Sequence, residues 1–382
     1  MTESWQRAGF GLYVHWPFCQ AKCPYCDFNS HVVPEIDENR WISAYTHEIS
    51  RIAKDTGERT LSSIFFGGGT PSLMSNRVVD AVITAAKGAW PVSNSLEVTL
   101  EANPTSVEAE RFEGYADSGV NRVSVGIQSL RDADLKKLGR LHTVDEAVAA
   151  LQTAKSVFSR VSFDLIYGRQ FQALSDWEVE LDEALSLAGE HLSLYQLTIE
   201  DGTAFGERHS AGKLPGLPSE DLGADMYELT QSMTAKVGLP AYEISNHAAP
   251  DAQARHNLIY WQGGDYAGIG PGAHGRLTID GQRWATETEI APIKWLQMVE
   301  KNGTGQTKSS VMDAADVLTE RLMMGLRLEA GVNIDPLPEN QEILNNIKYL
   351  REDGLIEFSG TNLKLTPTGR PLLNSVLAGI LA

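Results

Sequence analysis

From Phe10 to about Glu200 the chain alternates short β-rich runs with longer amphipathic stretches, and this alternation restricts the fold more than any other feature. The strand candidates are Leu12–His15, Ile64–Gly67, Leu96–Glu101, Arg122–Gln128, Ser162–Tyr167 and Ser193–Thr198. Between them lie helix-like segments such as Asn39–Lys54, Arg77–Ala89, Val107–Ser118 and Val144–Ser159. Strands separated by helices predict a parallel sheet with right-handed crossovers. Six such units, without two more before the pattern lapses, predict an α/β fold of open, partial TIM-like (β/α)6 barrel type. No tight sequence repeat accompanies this repeating architecture.

In such a sheet ligands bind at the carboxyl ends of the strands. The chemically suggestive residues fall there. A cysteine loop follows strand one, Gly67-Gly68-Gly69-Thr70-Pro71 follows strand two, and Glu101-Ala102-Asn103-Pro104 follows strand three. Gln128 ends strand four and Asp164 lies in strand five. Chance would scatter such groups over both ends, so their agreement predicts one shared site.

All three cysteines, Cys19, Cys23 and Cys26, fall within eight residues in the spacing C-x-x-x-C-x-x-C. A cubane iron–sulfur cluster has four irons, and each normally takes a thiolate. Three thiolates without a fourth cysteine leave one iron open to an outside ligand, which suits chemistry or ligand exchange. A zinc site completed by His15 or His31 is the alternative, although structural zinc usually draws paired ligands from two separate loops. The glycine run one βα unit later lets a ligand approach the backbone and use its donors. Both loops would open on one face and together suit a small zwitterionic ligand.

After Glu200 the pattern changes. Asp221–Val237 reads as a helix, Ala241–Ser245 as a strand, and Asn257–Arg276 as a Gly- and aromatic-rich stretch. From near Met312, helices over Ala314–Leu328 and Gln341–Glu352 precede a hairpin formed by Gly354–Phe358 and Leu363–Thr366, the order of a winged helix. The expected division is a barrel over 1–205, a connecting α/β region over 206–310, and a winged-helix-like α+β region over 311–382. A length of 382 residues accommodates one large domain and a smaller one.

The formal charge of −18 argues against a non-specific grip on nucleic acid, including DNA binding by the C-terminal region. It also disfavours broad adsorption to anionic membranes, while a local basic patch, and with it peripheral membrane contact, survives such an average. Met1–Gly9 is polar and lacks the basic-then-apolar order of a signal peptide. The longest apolar stretch, Leu372–Ala382, falls far short of the roughly 20 residues that span a bilayer. Three clustered cysteines make no disulfide framework, and iron–sulfur chemistry favours a reducing compartment, so the cytoplasm is the expected location.

The cysteine triplet, the Gly-Gly-Gly-Thr-Pro turn and the partial barrel resemble the radical S-adenosylmethionine (SAM) superfamily. That resemblance implies a [4Fe-4S] cluster on Cys19, Cys23 and Cys26, with the amino and carboxylate groups of SAM on the open iron. Reduction of the sulfonium there would give methionine and a 5′-deoxyadenosyl radical. The segments Tyr13–Phe28, Glu101–Pro104, Gly126–Ser129, Leu138–His142 and Phe163–Gly168 resemble, in order, those of the oxygen-independent coproporphyrinogen oxidase-like group. The likeness covers nearly the whole chain. By position it implies SAM contacts from Tyr13, Tyr25, Gly68, Gly69, Thr70, Glu101, Gln128, Arg140 and Asp164. Gln196 and His274 follow on looser local similarity. Chemistry agrees in part: Glu101 or Asp164 can accept from ribose hydroxyls or an ammonium, and Arg140 can clamp a carboxylate. A cap or a structural ion pair is the plainer role for each acid.

Two departures from the oxidase pattern redirect the reading. The oxidase resembles C-x-x-x-C-x-x-C-x-C, and here Phe28 occupies the last position; the first cysteine also comes too early for the oxidase's long N-terminal segment. His256-Asn257-Leu258-Ile259-Tyr260-Trp261 is similar instead to the His-Asn-x-x-Tyr-Trp of the sister branch, the HemW family of haem chaperones. Membership there implies that the chain binds haem and passes it to acceptor haem proteins such as respiratory enzymes. His256 is the candidate haem ligand, with aromatic neighbours for a porphyrin face and His247 and His274 as nearby competitors. The plainer reading makes the hexapeptide a helix start with its aromatics in the core. A radical enzyme acting on a tetrapyrrole and a zinc-containing regulator are the competing functions. The sequence leaves SAM cleavage, and the choice of monomer or homodimer, open.

Overall fold

In the computed structural model, which describes residues 4–33, 35–105, 109–334 and 340–382, one sheet runs through most of the chain. Its strands are β1 (Phe10–Trp16), β2 (Leu61–Gly68), β3 (Val92–Ala102), β4 (Arg122–Gln128), β5 (Arg160–Tyr167), β6 (His191–Gln196), β7 (Asn246–Ala248), β8 (Asp265–Ile269), β9 (His274–Ile279), β10 (Gln282–Thr288) and β11 (Gln306–Val311). The spatial order is β11-β10-β9-β8-β1-β2-β3-β4-β5-β6-β7, so β11 and β7 are edges and the sheet stays open. β1 to β6 pair in parallel, as the βα alternation predicts. A seventh parallel strand, β8, docks on the far side of β1, pairing Phe10 with Asp265 and Val14 with Ile269.

Alternation along the strands sorts residues into two layers. Leu12, Val14, Ile64, Phe66, Leu100, Val123 and Leu165 are buried against the helices outside the barrel. The intervening positions, among them Tyr13, His15, Glu101, Ser124 and Asp164, line the concave side. The outer helices read their faces from the sequence. Helix Glu38–Thr56 is capped by Asp37, whose carboxylate accepts from the Asn39 and Arg40 amides. It buries Trp41, Tyr45, Ile49 and Ile52, the three-and-four spacing of one helical stripe. Trp41 meets Trp16 edge-on at 5.7 Å and stacks on Trp295 at 5.4 Å. Helix Val144–Val157 begins with a reciprocal capping box between Thr143 and Glu146.

The helix expected over Val107–Ser118 begins outside the described residues; its described portion is Phe112–Asp117. The strand expected at Ala241–Ser245 lies later, at Asn246–Ala248. There the Tyr242 amide closes a turn onto the Asn246 carbonyl at 3.1 Å, and the Glu243 carboxylate takes the Ser245 amide at 3.0 Å. Beyond β11, helices Ala314–Gly325 and Gln341–Glu352, strand Val332–Asn333, the hairpin Ile356–Ser359 and Asn362–Leu365, and helix Leu373–Leu381 surround a second core containing Leu322, Ile347, Leu363 and Val376. Arg276 of β9 and Arg283 of β10 both bind Glu320, joining this part to the sheet. Among the described residues, no helix is long and apolar enough to cross a membrane.

Candidate functional site

The cysteine loop leaves the carboxyl end of β1 and is held on both sides. Cys19 and His31 close it by backbone bonds of 2.9 and 2.7 Å, the second to Pro17. On one flank the Gly69 amide donates to the Trp16 carbonyl at 2.7 Å, and the Thr70 amide to Phe18 at 2.9 Å. A Cβ on Gly69 would lie 2.8 Å from the Phe18 carbonyl oxygen, so only glycine permits this approach. The glycine turn was expected to offer its donors to a ligand; two of them instead pin the cysteine loop. On the other flank, the Asn29 amide donates to the Pro271 and Ile290 carbonyls at 2.9 Å each. Gly270 has φ +98°, and a Cβ there would fall 2.3 Å from the His15 carbonyl oxygen. Gly270→Ala combines a clash with backbone strain and is expected to cost about 2–4 kcal/mol of stability. A lowered thermal midpoint checks this; an unchanged midpoint would remove Gly270 as a pin.

Each cysteine sulfur faces a hydrogen-bond donor. The Thr70 hydroxyl donates to Cys19 Sγ at 3.3 Å, and Arg140 Nη1 to Cys23 Sγ at 3.5 Å. The Phe28 backbone amide faces Cys26. Burial pushes the Cys19 and Cys26 thiols up, so proton release accompanies thiolate ligation. Among the described residues, no three His, Cys, Asp or Glu side chains gather about one point as a mononuclear ion requires. The thiolates of a cubane bind separate irons. Nor are the proposed zinc histidines idle: His15 Nδ1 accepts from Tyr13 Oη and its Nε2 donates to the Asn29 carbonyl, both at 2.9 Å. His31 Nε2 donates to Asn29 Oδ1 at 2.9 Å. Three thiolates with three donors therefore fit a [4Fe-4S] cluster, which supplies one-electron redox chemistry when bound.

Asn103 connects two of those donors. Its amide nitrogen donates to Thr70 Oγ1 at 3.3 Å, and its oxygen accepts from Arg140 Nη2 at 2.6 Å. A single hydrogen-bonded chain thus runs from Cys19 through Thr70, Asn103 and Arg140 to Cys23. Donors to cluster sulfurs stabilise the more negative, reduced state. Asn103→Leu is therefore expected to leave iron content intact and make the midpoint potential more negative, as read by redox titration. An unchanged potential would make Asn103 a loop fastener only.

Behind the cysteine loop the concave face holds two acids. Burial, then the neighbouring Asp164, push the Glu101 carboxyl up to about 8; the Gly68 amide opposes this. Burial pushes Asp164 up to about 6, against the hydroxyls of Ser193 and Ser124 and the charges of Arg140 and Arg122. The Ser124 hydroxyl donates to Asp164 Oδ1 at 3.0 Å. Acids poised near neutrality at strand ends suit recognition of cationic or hydroxylated ligand groups. Gln128 ends β4 with φ +72°, a backbone state rare for a non-glycine residue. Its amide nitrogen lies over Gly126, beside Arg140. Tyr25 reaches Cys23 and Arg140, and burial drives its phenol upward.

The structure thus brings together Cys19, Cys23, Cys26, Tyr25, Gly68, Gly69, Thr70, Glu101, Gln128, Arg140 and Asp164, with Tyr13 below them. It does not bring in Gln196, which packs against Gly168 and Gly223 on the other face of β6. Tyr195, one residue earlier, takes the concave position. His274 is exposed at the start of β9, near His15. His256 lies deeper, 8% exposed, on helix Arg255–Trp261, which plugs the barrel under β1 and β2. Its ring stacks on Phe65 at 4.0 Å and faces Tyr260 at 4.5 Å, and burial lowers its pKa to about 3. Asn103 was marked in the sequence only as part of the Glu101–Pro104 segment, with no role of its own; Asn29 and Tyr195 were not marked, and strand alternation offered a signal for Tyr195 alone.

An open parallel barrel with three donor-backed cysteines at its carboxyl rim defines a radical SAM protein. Residues 13–184 match the radical SAM superfamily, and residues 312–372 match the HemN C-terminal domain. Within that superfamily, the chain belongs to the HemW family of haem chaperones. It is 39% identical to heme chaperone HemW of Escherichia coli over 379 residues, covering 97% of this chain and 98% of that protein. It is also 37% identical over 391 residues to the mitochondrial radical S-adenosyl methionine domain-containing protein 1 of Bos taurus, covering 99% and 88%. The solved structure of coproporphyrinogen III oxidase (HemN) from Escherichia coli shares the fold, with a TM-score of 0.81 at 20% identity over 97% of this chain and 89% of the other.

Proposed function

We propose that this protein is a cytoplasmic haem chaperone that carries a [4Fe-4S] cluster and SAM and transfers haem to acceptor haem proteins such as respiratory enzymes. The observation that carries the reading is chain-long kinship with proteins named haem chaperones, extending through the barrel-floor helix that bears the hexapeptide. Phe28 supports it: 55% exposed, it stands where the oxidase pattern places a further cysteine.

In this account Cys19, Cys23 and Cys26 hold the cluster. Thr70, Asn103 and Arg140 orient donors toward its sulfurs, and Glu101, Gln128 and Asp164 bind SAM from the concave face. Gln196 and His274 are retained as outlying SAM contacts from the resemblance. His256 is a neutral imidazole sealed by Phe65, Tyr13 and Tyr260, so haem reaches it only when helix Arg255–Trp261 shifts. His274, exposed beside the cysteine loop, is the accessible competitor. The barrel (1–205), the connecting region (206–310) and the winged-helix-like part (311–382) divide the labour as cluster site, haem-contact region and accessory unit. Nucleic acid has no place among the partners.

Haem titration of wild type, His256→Ala and His274→Ala separates the two ligands. The expected result is a lost or shifted Soret band in His256→Ala alone. Decarboxylation of coproporphyrinogen III by the reduced, SAM-loaded protein would replace the chaperone reading with an enzymatic one.

A further inference from the structure

At the end of the barrel opposite the cysteines, the amino ends of β4, β5 and β6 surround a cavity of about 250 Å³. Arg122, Lys155, Phe158, Arg160 and His191 line it. Arg122 and Arg160 both reach the same oxygen of Glu97, at 3.4 and 3.3 Å. The other Glu97 oxygen accepts the His256 backbone amide at 3.2 Å. The buried Arg122 and Glu97, each 3% exposed, balance one another, and the partly exposed Arg160 brings a second guanidinium to the same carboxylate. Lys155 adds a cation whose Nζ donates to the neutral Leu187 carbonyl at 2.7 Å. Opposing these are Glu190, an exposed lining acid, and the carbonyl ends of helices Val144–Val157 and Leu174–Leu187, each equivalent to about half a charge. Solvent screens Glu190 and, in part, Arg160, so the cavity is distinguished by its converging guanidinium and ammonium donors and not by a net charge.

His191 adds a neutral donor. The Tyr242 oxygen accepts from the Asn257 amide at 3.1 Å and the Ala254 backbone amide at 3.4 Å. Its own hydrogen is then directed at His191 Nε2, 3.1 Å away. That bond fixes the tautomer with the proton on Nδ1, a buried atom that finds no hydrogen-bond partner in the fold. A buried N–H without an acceptor, beside guanidinium and ammonium donors that converge on one cavity, is met by an added oxyanion.

We propose that this cavity is an oxyanion site. Arg122 and Arg160 form its charged arms, Lys155 and His191 complete it, and Phe158 packs against the apolar part of the ligand. The oxyanion comes either from a free phosphate compound or from the propionates of haem, the second source resting on the proposed function above. Because Glu97 ties the arginines to the backbone of His256, an anion here also draws on the helix that plugs the barrel.

Calorimetric titration of the cluster-loaded full chain with inorganic phosphate at low ionic strength, and with haem and haem dimethyl ester, tests the assignment. The variants are Arg160→Gln, whose side chain is partly exposed, and Lys155→Ala should the first fail to fold. If free phosphate is the source, phosphate binds once per chain and both variants weaken it by about tenfold or more, while haem and its ester bind alike. If haem carboxylates are the source, the ester binds wild type as weakly as haem binds the variants. Haem loss in His256→Ala with phosphate binding intact would mark a failure of the haem ligand, not of this site. Phosphate and haem binding that are both indifferent to the variants would overturn the proposal.

Discussion

Replacing Cys19, Cys23 or Cys26 by alanine is expected to reduce iron and acid-labile sulfide from about four of each per chain to near background after anaerobic reconstitution. The loss is large because nothing stands in reserve. The chain has no other cysteine, and the ring nitrogens of His15 that could approach are engaged by Tyr13 and Asn29. The loop itself should survive, since Gly69, Thr70 and Asn29 hold its backbone independently of the sulfurs. An alanine variant retaining full iron would mean that the cluster sits elsewhere.

SAM affinity should rise with pH between about 5 and about 7.5, before the amino group of the ligand titrates near 8. Burial on the concave face holds Glu101 and Asp164 protonated too readily, with pKa values of about 8 and about 6. An ammonium, a sulfonium or a hydroxyl hydrogen placed beside them favours the ionised form, so binding releases protons and strengthens as pH rises. The steepest dependence expected is about tenfold per pH unit for each proton released. The same raised values give the unliganded fold stability that is fully present below the ordinary carboxyl range. That contribution is lost as pH rises through about 6 for Asp164 and about 8 for Glu101. Calorimetry in buffers of different ionisation heat reads the released protons, and Glu101→Gln should flatten the profile. A pH-independent affinity in wild type would place SAM away from these acids.

The six parallel strands were legible because each is a short apolar run separated from the next by an amphipathic helix. For β4 the limits Arg122–Gln128 coincide with the sequence reading. β8 was not legible. It is five residues long, includes a glycine, and gains its identity only by pairing with β1, some 250 residues away in the chain. Asn29, and the role of Asn103 within its strand-end segment, escaped for a related reason: each matters through contacts with distant carbonyls or with Arg140, which no local pattern announces. Gln196 shows a different limit. Similarity pointed to it, whereas the strand period of two gives the concave position to Tyr195. The hexapeptide was visible as a motif, but its place in the barrel floor, with His256 stacked on Phe65, depends on the whole fold.

Haem transfer from the purified, cluster- and SAM-loaded holo-protein to a defined apo-haem protein tests the account most directly. The acceptor is expected to gain its own Soret spectrum and activity while the donor loses haem in equal amount, with transfer outpacing passive haem dissociation. Haem that stays on the donor, or that reaches the acceptor no faster than haem released from an unrelated carrier, would contradict it.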